Sequence, residues 1–287
     1  MFMLHATGKL NVLIPLCALT AVVLTAAAAD PLDDVEPGIQ VQRDAELPRV
    51  WIFAGLPGAD EHLFRFSSAV SRLTAAFDQR FGIDSGRIRG LFGKDGWRQQ
   101  PSCSTANLLA ELREVRSWQE LGGSAWLIFI GHADATETGV CFNIPGVDVT
   151  GRDIGAALSH RESAGRLVII LAQAGAGRFL QPLAGSNRIL LSATKPDGLV
   201  NGSEMPMALA EALESPDSDR DGDGFVSVLE MYEATDAHLA AWYRENEYIQ
   251  TEFPLLDGNG DGVATAQPTG GERQPAARCG LRLRLRP

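Results

Sequence analysis

The chain has 287 residues, 45% of them hydrophobic, and a formal net charge of −11. That length can bury one large core, so a single domain is expected. The acidic balance excludes nucleic acid and anionic membrane as main partners, since both repel carboxylates and are held by basic surfaces; calcium is the natural counter-ion.

Lys9 is the only charged side chain before an apolar run, Leu10 to Leu24, that closes on Ala26, Ala27, Ala28 and Ala29. This reads as a secretory signal peptide over residues 1–29, cleaved before Asp30. Asn11 and Pro15 interrupt the run, which is too short for a membrane anchor, so no span is expected after cleavage. The destination is the periplasm or the extracellular space. Cys103, Cys141 and Cys279 remain, and in an oxidising compartment Cys103 with Cys141 is the expected disulfide, because Cys279 sits in a Gly, Pro and Arg-rich tail.

Short, β-branched and aromatic runs predict strands at Arg49 to Ala54, Ala125 to Ile130, Leu167 to Leu171 and Arg188 to Ser192, with a weaker fifth at Gly86 to Phe92. Helical spacing covers Glu61 to Phe81, Thr105 to Leu121 and Gly151 to Arg161. The alternation predicts an α/β domain over 30–202, with a mostly parallel central sheet covered by helices on both faces. From Ser203 the pattern becomes helix, acidic loop, helix, acidic loop, an appendage over 203–268 packed on the sheet. Residues 269–287 read as a flexible basic tail, in which the alternation from Leu281 to Arg286 also allows an edge strand.

In the first acidic loop Asp219, Asp221, Asp223, Gly224, Ser227 and Glu230 fall on positions 1, 3, 5, 6, 9 and 12 of an EF-hand. Calcium takes six to eight oxygens at about 2.3–2.6 Å, and this spacing wraps alternate carboxylates around one centre. Phe225 would add its backbone carbonyl, Ser227 a direct or water-borne contact, and Glu230 both oxygens. A second loop repeats the pattern with Asp257, Asn259, Asp261 and Gly262, then Val263 and Thr265, but Pro268 stands where the bidentate acid belongs. Weaker binding is expected there unless Glu252 or the helix of Glu230 supplies a carboxylate. The alternative is an Asx-type turn that uses Asp and Gly for backbone reasons.

The third strong strand runs into Gly131, His132, Ala133 and Asp134, and the next ends in Gln173, Ala174, Gly175, Ala176 and Gly177. Open parallel sheets carry their sites at such carboxyl ends. These residues resemble the legumain branch of the caspase-like cysteine peptidases, which carry Gly-His-Gly after one strand and Cys-x-Ser-Gly after the next; the match spans Arg49 to Asp261. The resemblance implies a three-layer caspase-like fold, His132 as the base and a cysteine at the position of Ala174. Bacterial relatives also append acidic loops of this kind. Aligning Gly177 on the motif glycine puts Ala176 on the serine and Ala174 on the cysteine, so the nucleophile is missing. Cys141 and Ser192 are the candidates for a relocated one. Without a partner, His132 also reads as a polar residue satisfied by nearby backbone. His62, His160 and His238 read as surface residues.

Three functions follow as expectations. The first is an exported calcium-binding pseudopeptidase that holds a peptide or protein partner without cleaving it. The second is an active peptidase or transpeptidase with a relocated nucleophile and His132 as base. The third is a purely structural calcium-binding protein.

Overall fold

Continuous apolar runs with no polar alternation can only be buried on both faces, and β1 (Arg49–Ala54), β3 (Ala125–Gly131), β7 (Leu167–Gln173) and β8 (Arg188–Ser192) are the centre of one sheet. The computed structural model describes residues 47–98, 100–136, 139–159, 165–198, 202–271, 273 and 283–286. The expected signal peptide, His160 and Cys279 lie outside them. The sheet has six strands in the order β10–β8–β7–β3–β1–β2, where β2 is Ile88–Phe92 and β10 is Leu255–Asp257. All pairings are parallel except that of β10 with β8. Trp51, Phe53, Trp126 and Phe129 are among the fully buried side chains of this core.

Helix α1 (Asp60–Gln79) buries Phe66, Ala69, Val70, Leu73, Ala76 and Phe77, one stripe at three- and four-residue spacing, and carries Asp60 and Glu61 at its positive end. Ser104 caps α2 (Thr105–Glu120) by accepting from the Asn107 amide. Thr150 and Asp153 form a reciprocal capping box on α3 (Gly151–Ala157), which stops short of the expected Arg161 because Leu158 already caps it. The short α4 (Leu180–Leu183) follows a 3-10 turn, Ala176–Phe179. Helix α1 packs on α5 (Met205–Glu214), and α5 packs on α6 (Val228–Glu245); α2 touches α3, and α3 touches α4. These two groups cover opposite sides of the sheet, giving three layers. No helix among the described residues is long and apolar enough to cross a membrane.

Several local expectations are corrected. The segment after Ser203 does more than pack on the sheet, because β10 is its sixth strand. A small antiparallel sheet of β4 (Ala133–Thr136), β5 (Gly139–Phe142) and β6 (Val149–Thr150) follows β3 directly. At the end of the tail the edge-strand alternative holds: β11 (Leu283–Arg284) pairs with β9 (Phe225–Val226) inside the first acidic loop, and the Arg286 amide donates to the Arg80 carbonyl at 2.7 Å. Cys103 and Cys141 form no disulfide; both are free and buried at separate sites. Cys103 is wholly enclosed in the core, where burial pushes its thiol up to about 12.

Candidate functional site

The register of β3 with β7 pairs Gly131 with Gln173, so the next residue of each strand, His132 and Ala174, emerges at the carboxyl end of neighbouring central strands. The two residues singled out in the sequence are therefore brought together. Gly175 takes a φ of +66°, which turns the chain sharply after β7, and a methyl placed on it would lie 3.7 Å from the Ala133 carbonyl. A side chain at Gly177 would meet the Thr194 carbonyl at 2.4 Å, so the turn is packed flat on the loop after β8.

The His132 Nε2 lies 3.1 Å from the Pro57 carbonyl oxygen. Because a carbonyl only accepts, Nε2 carries the proton in the neutral ring and the lone pair is on Nδ1. The imidazole is flanked by aromatic faces: His62 meets it edge-on at 4.8 Å and Phe66 at 5.6 Å. His62 is thus half-buried against His132 rather than free on the surface. Burial, then His132 and Arg65, hold its pKa below the ordinary histidine value, so His62 is neutral at neutral pH and adds no charge beside His132. His238 is half-buried beside Glu211, at 3.5 Å.

Among the described residues no thiol or hydroxyl is hydrogen-bonded to His132. Cys141 points its Sγ to the Asp134 carbonyl at 3.6 Å and to the Asp148 carboxylate at 3.8 Å. Burial and then the Asp148 charge push its pKa up, which keeps it a thiol and a poor nucleophile. Ser192 is fully buried and donates to the Thr194 carbonyl at 2.8 Å. At the turn itself the side chains are those of Ala174, Gly175 and Ala176 alone.

Beside the turn lies a cavity of about 500 Å3, walled by Gly177 and Arg178 of the turn, Thr136, Gly139 and Val140 of the hairpin, Arg152 of α3 and Gly262 of the second acidic loop. It has the size of a small-ligand or side-chain subsite.

No family profile matches the chain, and no curated protein does. The solved structures similar to it include the following two. The crystal structure of caspase-1 from Spodoptera frugiperda shares 10% identity with a TM-score of 0.47, over 73% of this chain and 85% of that one. Protein GSU0716 from Geobacter sulfurreducens shares 12% identity with a TM-score of 0.48, over 77% of this chain and 95% of that one.

The acidic loops stand apart from the imidazole. Asp219, Asp221 and Asp223 bring carboxylate oxygens within 4.8 Å of one another. Asp219 also accepts from the Gly222, Asp223 and Gly224 amides, while Asp221 accepts from Asp223 and Asp223 from the amide of Phe225. Glu230 accepts from the Arg220 amide at 2.9 Å and from the amide and hydroxyl of Ser227, so one carboxylate closes the loop and caps α6. With Asp221, Asp223, Ser227 and Glu230 lining one recess, the donor set fits a hard cation.

The second loop repeats this wiring. Asp257 accepts from Gly260 at 2.6 Å and Gly262 at 2.8 Å, Asn259 accepts from Asp261, and Asp261 accepts from the amide of Val263. Thr265 exchanges backbone hydrogen bonds with Leu256. The Tyr232 hydroxyl donates to the Pro254 and Ala266 carbonyls, tying α6 to both flanks of this loop. Neither Glu230 nor Glu252 is free to complete it. Glu230 serves its own loop, and Glu252 is fully buried, accepting from Ser203, the first amides of α5 and Tyr243.

Sequence reasoning missed His62 and the buried role of Glu252. The signal for His62 was present: it lies four residues before Phe66, on the apolar stripe of α1. Nothing local marks Glu252, whose donors come from segments about 48 residues earlier and from α6.

Proposed function

We propose that this protein is an exported, calcium-stabilised peptide-binding relative of the legumain-type caspase-like peptidases that has lost the chemistry of cleavage. The observation that carries the reading is the pairing of an intact His132 with a turn of Ala174, Gly175 and Ala176. Covalent peptide hydrolysis needs a thiolate or alkoxide next to the base, and a methyl group supplies neither electrons to attack nor a proton to give up. The loss of such a nucleophile removes about a millionfold of turnover. His132, held by the Pro57 carbonyl and packed on His62, then acts as a rigid wall of the binding cleft rather than as a base. The cavity beside the turn supplies side-chain space, and exposed backbone of the β4–β5 hairpin supplies partners for an extended peptide.

Calcium at Asp219, Asp221, Asp223, Phe225, Ser227 and Glu230 belongs to the same proposal, with weaker occupancy at Asp257, Asn259, Asp261, Val263 and Thr265. When bound, the ion neutralises the clustered carboxylates. It would pin α6 and, through β9 and β11, the end of the tail.

A library of extended decapeptides offered in calcium buffer is expected to yield retained sequences. Arg152→Glu, an exposed change on the wall of the 500 Å3 cavity, should weaken their retention by about tenfold. Equal retention by the variant would place the peptide elsewhere and contradict the reading.

A further inference from the structure

On the far side of His62 lies another cavity, of about 870 Å3, formed where the start of α1 meets the loop after α6. Its wall is aromatic. The Trp242 indole meets Tyr243 at 5.1 Å nearly perpendicular and Tyr248 at 5.7 Å with an interplanar angle of 33°, so it is braced by two tyrosine rings. Tyr248 is 63% exposed and Ile249 89% exposed on the rim. Elsewhere on the protein Arg49, Arg80, Arg98 and Lys195 each lie over an aromatic ring, but among the described residues no cation covers Trp242 or Tyr248.

The charge in this cavity is one-sided. Glu61, Glu204, Glu247 and Glu252 line it against a single guanidinium, Arg65. Arg65 is already engaged, at 2.6 Å from Glu204 and 3.6 Å from Glu61. Glu252 draws its hydrogen bonds from neutral donors, and Glu247 has no ion-pair partner among the described residues.

Glu247 lines this cavity as well. It sits just past the end of α6 with a φ of +57°, where the Tyr248 amide bonds back to the Tyr243 carbonyl and the Glu247 amide to that of Arg244. That closing turn favours glycine, because a side chain is strained in the left-handed region. A carboxylate stands at the very place where backbone conformation asks for no side chain, and it lines the cavity.

We propose that this cavity binds the cationic side chain, arginine or lysine, of a peptide ligand, with the charge held among the carboxylates and the stem on Trp242 and Tyr248. Aromatic faces beside carboxylates that outnumber their single guanidinium, with Glu247 unpaired among the described residues, select an alkyl or guanidinium cation over a neutral or acidic group. The peptide part rests on the function proposed above, while the recognition of a cation stands on the cavity alone.

Calorimetric titration separates the two. N-acetyl-arginine methylamide is expected to bind, and its neutral isostere N-acetyl-citrulline methylamide to bind at least about tenfold more weakly. Glu247→Gly should lower the affinity for the arginine probe by about three- to tenfold while raising the melting temperature by about 1–4 °C, so lost binding cannot be blamed on lost folding. Trp242→Phe should weaken the same probe without changing its preference over citrulline. Equal affinity for the two probes, or an unchanged affinity in Glu247→Gly, would overturn the proposal. If the arginine probe binds as described but arginine-containing hexapeptides bind no more tightly than the probe, the peptide reading fails and cation recognition remains.

Discussion

Removing calcium with EDTA is expected to lower the melting temperature by about 5–10 °C. A ligand present at a hundred times its dissociation constant stabilises the fold by about 2.7 kcal/mol, and a domain of this size shifts by about 2–4 °C per kcal/mol. The physical reason is the crowding of Asp219, Asp221 and Asp223, whose oxygens converge within 4.8 Å with Glu230 facing the same recess. Without a cation these charges repel; with one they become its shell. Asp221→Asn is the sharper probe. Asp219 accepts three backbone amides and shapes the loop with or without an ion, whereas Asp221 accepts one, which an asparagine oxygen can still take. The variant should keep its melting temperature in EDTA and lose most of the calcium-dependent rise. A melting curve that EDTA leaves unchanged in the parent protein would rule out bound calcium.

Glu252→Ala is expected to destabilise the protein by about 3–5 kcal/mol, read as a lower urea midpoint at unchanged slope. Its carboxylate is fully buried and accepts from the Ser203 hydroxyl at 2.6 Å, the Glu204 and Met205 amides at 2.8 and 3.4 Å, and the Tyr243 hydroxyl at 2.8 Å. The amides belong to the first turn of α5, so this anion meets the positive end of a helix dipole as well as satisfying buried donors. Alanine orphans all of them. Glu252→Gln keeps one acceptor oxygen and the shape but removes the charge, and should cost only about 1–2 kcal/mol. An alanine variant within about 0.5 kcal/mol of the parent would show that water replaces the carboxylate freely.

The contrast between Glu252 and the strands shows which features are legible in a sequence. The strands from Arg49, Ala125, Leu167 and Arg188 were legible because burial on both faces leaves a local apolar signature. The acidic loop from Asp219 was legible because its carboxylates recur within twelve residues. β10 is three residues long, too short for any periodicity, and the β4–β5 hairpin has an exposed first strand with no apolar alternation. Tertiary context decides such pieces. The expected pairing of Cys103 with Cys141 failed for a similar reason, since one thiol is sealed in the core while the other faces Asp134 and Asp148. His62 was readable from the stripe of α1 but was assigned by residue type; its neighbour His132, placed by the end of β3, was found by position.

The claim that matters most is that the cleft binds without cutting. The direct test is to incubate the protein in calcium with a mixed peptide library and count new peptide termini by mass spectrometry, beside His132→Ala. The account predicts that both proteins generate termini only at the rate of buffer alone. Termini produced by the parent protein and abolished in His132→Ala would mean that a nucleophile works beside that imidazole, and the account would be wrong.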